Sequence, residues 1–151
     1  MPPKAQLRVL CVDDDEDSRV MLTALLKLAL IEAKAVGTGA EALSSIQAEP
    51  FDLYMLDSRL PDVDGFELCR RLRAMAPHAP ILFFSGAAFE ADKKKGIEAG
   101  ANAYVIKPDL DGLVSSIRQF ASEAQSPMAR IIPFKRKTSR SSLFTFEPAA
   151  A

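Results

Sequence analysis

Five short apolar runs, each followed by a longer stretch of helical spacing, limit what this chain can fold into. Leu7-Arg8-Val9-Leu10-Cys11-Val12 stops at Asp13, and Ala33 to Val36 stops at a Gly37-Thr38-Gly39 break. Leu53-Tyr54-Met55-Leu56 stops at Asp57, Ile81-Leu82-Phe83-Phe84 at Ser85, and Ala103-Tyr104-Val105-Ile106 at Lys107. Compact runs of this length read as buried strands. The intervening stretches are predicted helices over about 17–30, 40–48, 66 onward, 88–99 and 110–124. Val20, Met21, Leu25, Leu28 and Ala29 are the expected apolar residues of the first, and Leu113, Ile117 and Phe120 those of the last. Gly100 is placed to close the fourth helix with a left-handed residue. Strict strand–helix alternation predicts an α/β fold: a doubly wound, five-stranded parallel sheet with helices on both faces.

In such a sheet the functional crevice lies at the carboxyl ends of the strands. Asp13, Asp14, Asp57, Ser85 and Lys107 all stand there, at the ends of strands that are almost wholly apolar. Carboxylates converging in one crevice repel each other, and a hard divalent cation relieves the conflict. Mg²⁺ suits such a site because it takes oxygen ligands and keeps several waters. Lys107 adds a compact positive charge able to pair with a carboxylate or a phosphate oxygen. Ser85 adds a hydroxyl donor. Phosphoryl transfer is catalysed largely by positioning and charge neutralisation of this kind. Asp57 is then the candidate nucleophile, since carboxylates form aspartyl phosphates.

The segments that carry these residues resemble the response-regulator receiver family. The similarity rests on four motifs in the family's order: Val12-Asp13-Asp14-Asp15, Leu56-Asp57-Ser58-Arg59-Leu60-Pro61-Asp62-Val63-Asp64-Gly65, Phe84-Ser85-Gly86 and Tyr104-Val105-Ile106-Lys107-Pro108. It covers about residues 6–124 and implies the flavodoxin-like receiver fold. It also implies that Asp57 is phosphorylated, and that Asp14 and Asp57 bind Mg²⁺ directly. Asp13 would assist the ion through water, and Arg59 through its backbone carbonyl. Ser85 would hydrogen-bond the phosphoryl oxygen, Lys107 would pair with it, and Tyr104 would be the aromatic switch that turns inward. The implied phosphoryl donor is a histidine kinase or a histidine phosphotransfer protein. The implied downstream protein target docks on the face of the last strand and last helix. Asp109 departs from the pattern, standing where an apolar residue is usual, and Arg59 and Ala87 are candidates to tune the phosphate lifetime.

Charge divides the chain in two. Residues 1–125 carry 14 Lys/Arg against 19 Asp/Glu, a balance of −5, and 126–151 carry 5 against 1, a balance of +4. The expected domains are a receiver over 1–125 and a basic, serine-rich, disordered tail over 126–151. The tail's basic stretch could instead dock on an acidic protein, on anionic lipid or on the domain's own crevice. No specific nucleic-acid partner is expected from this balance. Cys11 and Cys69 match no metal-ligand spacing and read as buried thiols. No apolar run approaches the ~18 residues of a membrane span, so a cytoplasmic location is expected.

Plainer readings exist for several features. Asp13 to Asp17 could be an acidic helix start. Lys93-Lys94-Lys95 reads as a solvated helix face or a docking patch for an acidic partner, and the single His78 as a surface residue. The leading function is a stand-alone phosphoacceptor, not an enzyme in the ordinary sense, that signals by protein contact. One alternative is an interaction module independent of phosphorylation, which would have no need of the acid–hydroxyl–lysine set. The other is an aspartate-nucleophile phosphohydrolase, whose Asp-x-Asp nucleophile usually lies on the first strand rather than the third.

Overall fold

The computed structural model describes residues 6–124; the expected tail at 126–151 lies outside them. Ten elements alternate: β1 Arg8–Val12, α1 Glu16–Leu28, β2 Glu32–Val36, α2 Gly39–Ala48, β3 Leu53–Leu56, α3 Gly65–Met75, β4 Ile81–Ser85, α4 Glu90–Glu98, β5 Ala103–Ile106 and α5 Leu110–Ala124. The strands form one parallel sheet in the order β2-β1-β3-β4-β5. The α/β, doubly wound class expected from the alternation is the class observed.

Because strand side chains alternate between faces, each apolar run feeds two cores at once. Val9, Cys11, Leu53, Met55, Leu82, Phe84 and Val105 pack with Leu22, Leu26, Leu113, Ile117 and Phe120 on one side. Leu10, Val12, Tyr54, Leu56, Phe83 and Tyr104 pack with Ala42, Leu68, Cys69 and Leu72 on the other. The three central strands are therefore apolar except at Arg8, which opens β1, and Ser85, which ends β4, whereas edge strand β2 alternates.

The apolar face of α1 differs from the expected one. Leu22 and Leu26 are buried, while Val20 is 65%, Met21 41% and Leu28 84% exposed. The helix carries two overlapping apolar stripes, and its N-terminal anchoring selects between them. The Asp15 side chain accepts the Ser18 N–H, and Arg19 reaches back to the Asp13 carbonyl at 2.8 Å. Those contacts turn the 22/26 stripe onto the sheet. Helix α4 also starts later than expected, at Glu90, with Asp92 accepting the Phe89 N–H.

Helices α1 and α4 end in the same hydrogen-bond pattern with different residues at its centre. Ile31 N–H donates to Leu26 O and Leu30 N–H to Lys27 O; Ala101 N–H donates to Gly96 O and Gly100 N–H to Ile97 O. This pattern places its central residue at positive φ, which glycine adopts freely and a residue with a Cβ adopts only at a cost. Gly100 sits at φ 116° as the sequence suggests, but α1 uses Leu30 at φ 62°. Leu30 is largely exposed, so its side chain returns little for the left-handed cost. Leu30→Gly should therefore stabilise the domain by about 1 kcal/mol in urea unfolding. A loss of stability would show that the Leu30 side chain contributes more than its exposure indicates.

Candidate phosphoacceptor site

The acidic run after β1 divides into two tasks. Asp15 caps α1, with Ser18 N–H and Oγ–H both donating to its Oδ2 at 2.9 and 2.8 Å. Those bonds hold the Asp15 carboxyl below its ordinary value. Here the plain reading of an acidic helix start is correct. Asp13 and Asp14 instead converge with Asp57: each offers a carboxylate oxygen, and the three lie within 4.8 Å of one another. Asp13 is buried, Asp57 half-buried and Asp14 exposed.

Lys107 closes this group from β5, the edge strand beyond β4. Its Nζ donates to Asp13 Oδ2 at 2.7 Å and to Asp57 Oδ2 at 3.1 Å. To do so the side chain crosses the end of β4, where Lys107 N–H also bonds Ser85 O and the Nζ lies 5.8 Å from the Phe84 ring centre. A four-carbon stem is what spans that strand. Partial burial opposes the ammonium charge, but the Asp13 and Asp57 carboxylates outweigh it and hold Lys107 above its usual range. Asp13 Oδ1 meanwhile accepts the Asp15 N–H, so both Asp13 oxygens are engaged.

On the other side of Asp57 lies a set of hydroxyls. Ser85 Oγ and Ser58 Oγ are 2.7 Å apart, and Ser85 Oγ accepts the Ala87 N–H at 3.1 Å. Tyr104 is fully buried, stacked on Phe83 with ring centres 5.4 Å apart, and its hydroxyl donates to Ala87 O at 2.7 Å. Burial raises the Tyr104 pKa, partly offset by the nearby Ser85 and Ser58 hydroxyls. Tyr104 therefore occupies the inward position named for a switch aromatic. Arg59 and Ala87 line one hollow with Gly86, Ala88, Phe89 and Asp92, enclosing about 300 Å³.

The loop after β3 is fixed by features that sequence reading passed over. Asp64 caps α3 through Phe66 N–H, and Gly65 N–H bonds Ser58 O at 3.0 Å. A Cβ on Gly65 would collide with the Asp57 and Ser58 backbone. Asp62 reaches across to α2 and accepts the Gly39 and Ala40 N–H groups at 2.8 and 2.9 Å. Asp109, which departs from the family pattern, caps α5 by accepting Gly112 N–H at 2.9 Å. Ser58, buried at 6% exposure, was also missed; it stands two residues past the last β3–β4 pair, Leu56 with Phe83, where the same register continued reaches Ser85. Lys93 and Lys94 pair with Glu90 and Glu98 on a solvated helix face, and His78 is exposed, as the plain readings held. Cys11 and Cys69 are buried free thiols, both pushed up to about 12 chiefly by burial.

The model of the response regulator receiver domain matches residues 9–118. The chain belongs to the response-regulator receiver family. It is 38% identical over 125 residues to the transcriptional regulatory protein GltR of Pseudomonas aeruginosa, covering 81% of this chain and 52% of that one. It is 37% identical over 111 residues to a gliding motility regulatory protein of Myxococcus xanthus, covering 72% of this chain and 14% of that one. The receiver thus spans about half or less of these curated relatives. Among solved structures it resembles a CheY-like receiver domain protein from Methanospirillum hungatei, with TM-score 0.75, 29% identity, and 80% and 97% of the two chains covered. The BeF₃-activated DrrB receiver domain is similar at TM-score 0.71 and 29% identity, covering 78% of this chain and 98% of that one. Among the described residues no helix of the receiver is long and apolar enough to cross a membrane.

The Asp62 bridge makes a pH prediction. Its two backbone donors hold the carboxyl below 3.8, so its contribution to stability is complete above the unfolded value and fades as pH falls through the folded one. Asp62→Ala should lower Tm at neutral pH, and the gap from the parent should narrow as pH falls below the ordinary carboxylate value. A gap that stays constant with pH would remove the carboxylate from the explanation.

Proposed function

We propose that this receiver accepts a phosphoryl group on Asp57 and signals through the resulting rearrangement around Ser85 and Tyr104. The observation that carries the reading is Lys107 Nζ bridging Asp13 and Asp57 beside a cluster of three carboxylates. An Asp57 Oδ attacks the phosphorus of the donor, the bond from phosphorus to the donor's leaving atom breaks, and that atom takes a proton from solvent. Lys107 can follow the charge outward, exchanging its 3.1 Å contact with the carboxylate for one with a phosphoryl oxygen. The Ser85 hydroxyl serves a second oxygen, and Asp13 keeps the lysine oriented.

The donor set fits Mg²⁺: only carboxylate oxygens converge, and one of the three, Asp14, is open to solvent. Asp14 and Asp57 would hold the ion directly, and the Arg59 carbonyl would complete the protein's share. Asp13, with both oxygens already engaged, suits a role through water. When bound, Mg²⁺ supplies neutralisation of the phosphoryl oxygens.

A histidine kinase or phosphotransfer protein would be the donor. The output face comprises α4, β5 and α5, with Tyr104 on β5 against Gly96 of α4, and its target is a protein. Signalling by protein contact, without specific nucleic-acid binding by residues 1–125, accords with their −5 balance. Residues 126–151 form the separate basic tail of this reading.

Incubation with acetyl phosphate and Mg²⁺, followed by intact mass measurement, tests the proposal. One phosphoryl group should be gained, and none with Asp57→Ala or in EDTA. Lys107→Ala should slow uptake on the order of 10²-fold, the loss typical of a donor aimed at developing charge. Uptake undiminished in Asp57→Ala would overturn the assignment of the nucleophile.

A further inference from the structure

Ser58 directly follows the candidate phosphoacceptor, and the β3–β4 register sets it beside Ser85. It is buried, so its hydroxyl needs a partner, and Ser85 Oγ at 2.7 Å supplies one. Either oxygen could donate, and the choice decides what Ser85 can do. A serine hydroxyl has one hydrogen and two lone pairs. The Ala87 N–H already occupies one Ser85 lone pair. If Ser58 donates to the other, the Ser85 hydrogen stays uncommitted to Ser58 and can serve an oxygen outside the pair. If Ser85 donates instead, its hydrogen is spent on Ser58, and the Ser58 hydrogen turns to the nearby Tyr104 oxygen.

The neighbouring groups favour the first sense. Ala87 gives its N–H to Ser85 and takes the Tyr104 O–H on its carbonyl. A charged phosphoryl oxygen is a stronger acceptor than a phenol oxygen, and donors in series strengthen one another. Once Asp57 is modified, the sense that leaves a hydrogen for that oxygen runs from Ser58 to Ser85 to the phosphoryl group. We infer that Ser58 is a positioning residue, donating to Ser85 and so aiming the Ser85 hydrogen at the phosphoryl group on Asp57. This rests on the phosphoacceptor reading of Asp57. It assigns a part in the transfer to a residue that the donor chemistry alone leaves idle.

A double-mutant cycle tests it, using the whole chain, acetyl phosphate and Mg²⁺. Initial phosphorylation rates are measured for the parent, Ser58→Ala, Ser85→Ala and the double variant, with Tm and Mg²⁺ affinity by calorimetry as controls. Ser58→Ala should slow uptake about fivefold, the worth of one neutral hydrogen bond, while Mg²⁺ affinity holds. In the Ser85→Ala background it should have no further effect, because its action passes through that hydroxyl. A Ser58→Ala rate equal to or above the parent's overturns the inference, the faster rate indicating that Ser85 donates to Ser58. The same slowing in both backgrounds also overturns it, since a merely structural role would act without Ser85. A parent that takes up no phosphoryl group would defeat the phosphoacceptor reading itself, and this inference with it.

Discussion

Three carboxylates within 4.8 Å of one another repel, and in this domain the ammonium of Lys107 stands between two of them. At a separation near 4 Å and a partly screened effective dielectric, each like-charge pair opposes folding by about 4 kcal/mol before relaxation. Asp13 is buried, so its charge has little water to turn to. The Lys107 contacts compensate that cost. They also tie the end of β5 across β4 to the ends of β1 and β3. The site's geometry therefore depends on an attraction that spans the sheet, and anything placing negative charge at Asp57 competes for the same ammonium.

The sheet makes that bridge possible. Its order turns at β1 and β3, opening a crevice at their carboxyl ends, and the two-sided cores keep those ends in register. Short capping contacts then aim each loop. Asp15 caps α1 with its own carboxylate while its N–H holds Asp13 Oδ1, Asp64 and Gly65 fold the chain back against Asp57, and Asp109 begins α5 directly after Lys107-Pro108. Asp62 ties the β3–α3 loop to α2. Neighbouring aspartates of identical chemistry thus divide between capping and the carboxylate cluster according to where the backbone N–H groups lie.

Much of this was legible in the sequence, for physical reasons. Strands buried on both faces leave uninterrupted apolar runs, and the polar residues that stop them mark the crevice, so Asp13, Asp57, Ser85 and Lys107 could be named before any coordinates. What escaped was information carried by orientation. The apolar residues of α1 admit more than one buried stripe, and the Asp15 and Arg19 contacts that choose Leu22 and Leu26 are tertiary. Leu30 at a left-handed position gives no warning, because glycine is the usual signal. In sequence, Ser58 has no role of its own in the motif that contains it. Only the pairing of β3 with β4 brings its hydroxyl to Ser85.

The central claim is that the Asp57 carboxylate, and not Asp13 or Asp14 beside it, becomes the acyl phosphate. Borohydride reduction of the phosphorylated protein converts an aspartyl phosphate to homoserine, and peptide mass spectrometry then locates it. The account predicts homoserine at position 57 alone. Homoserine at position 13 or 14, or its absence from a protein shown to carry the phosphoryl group, would contradict it.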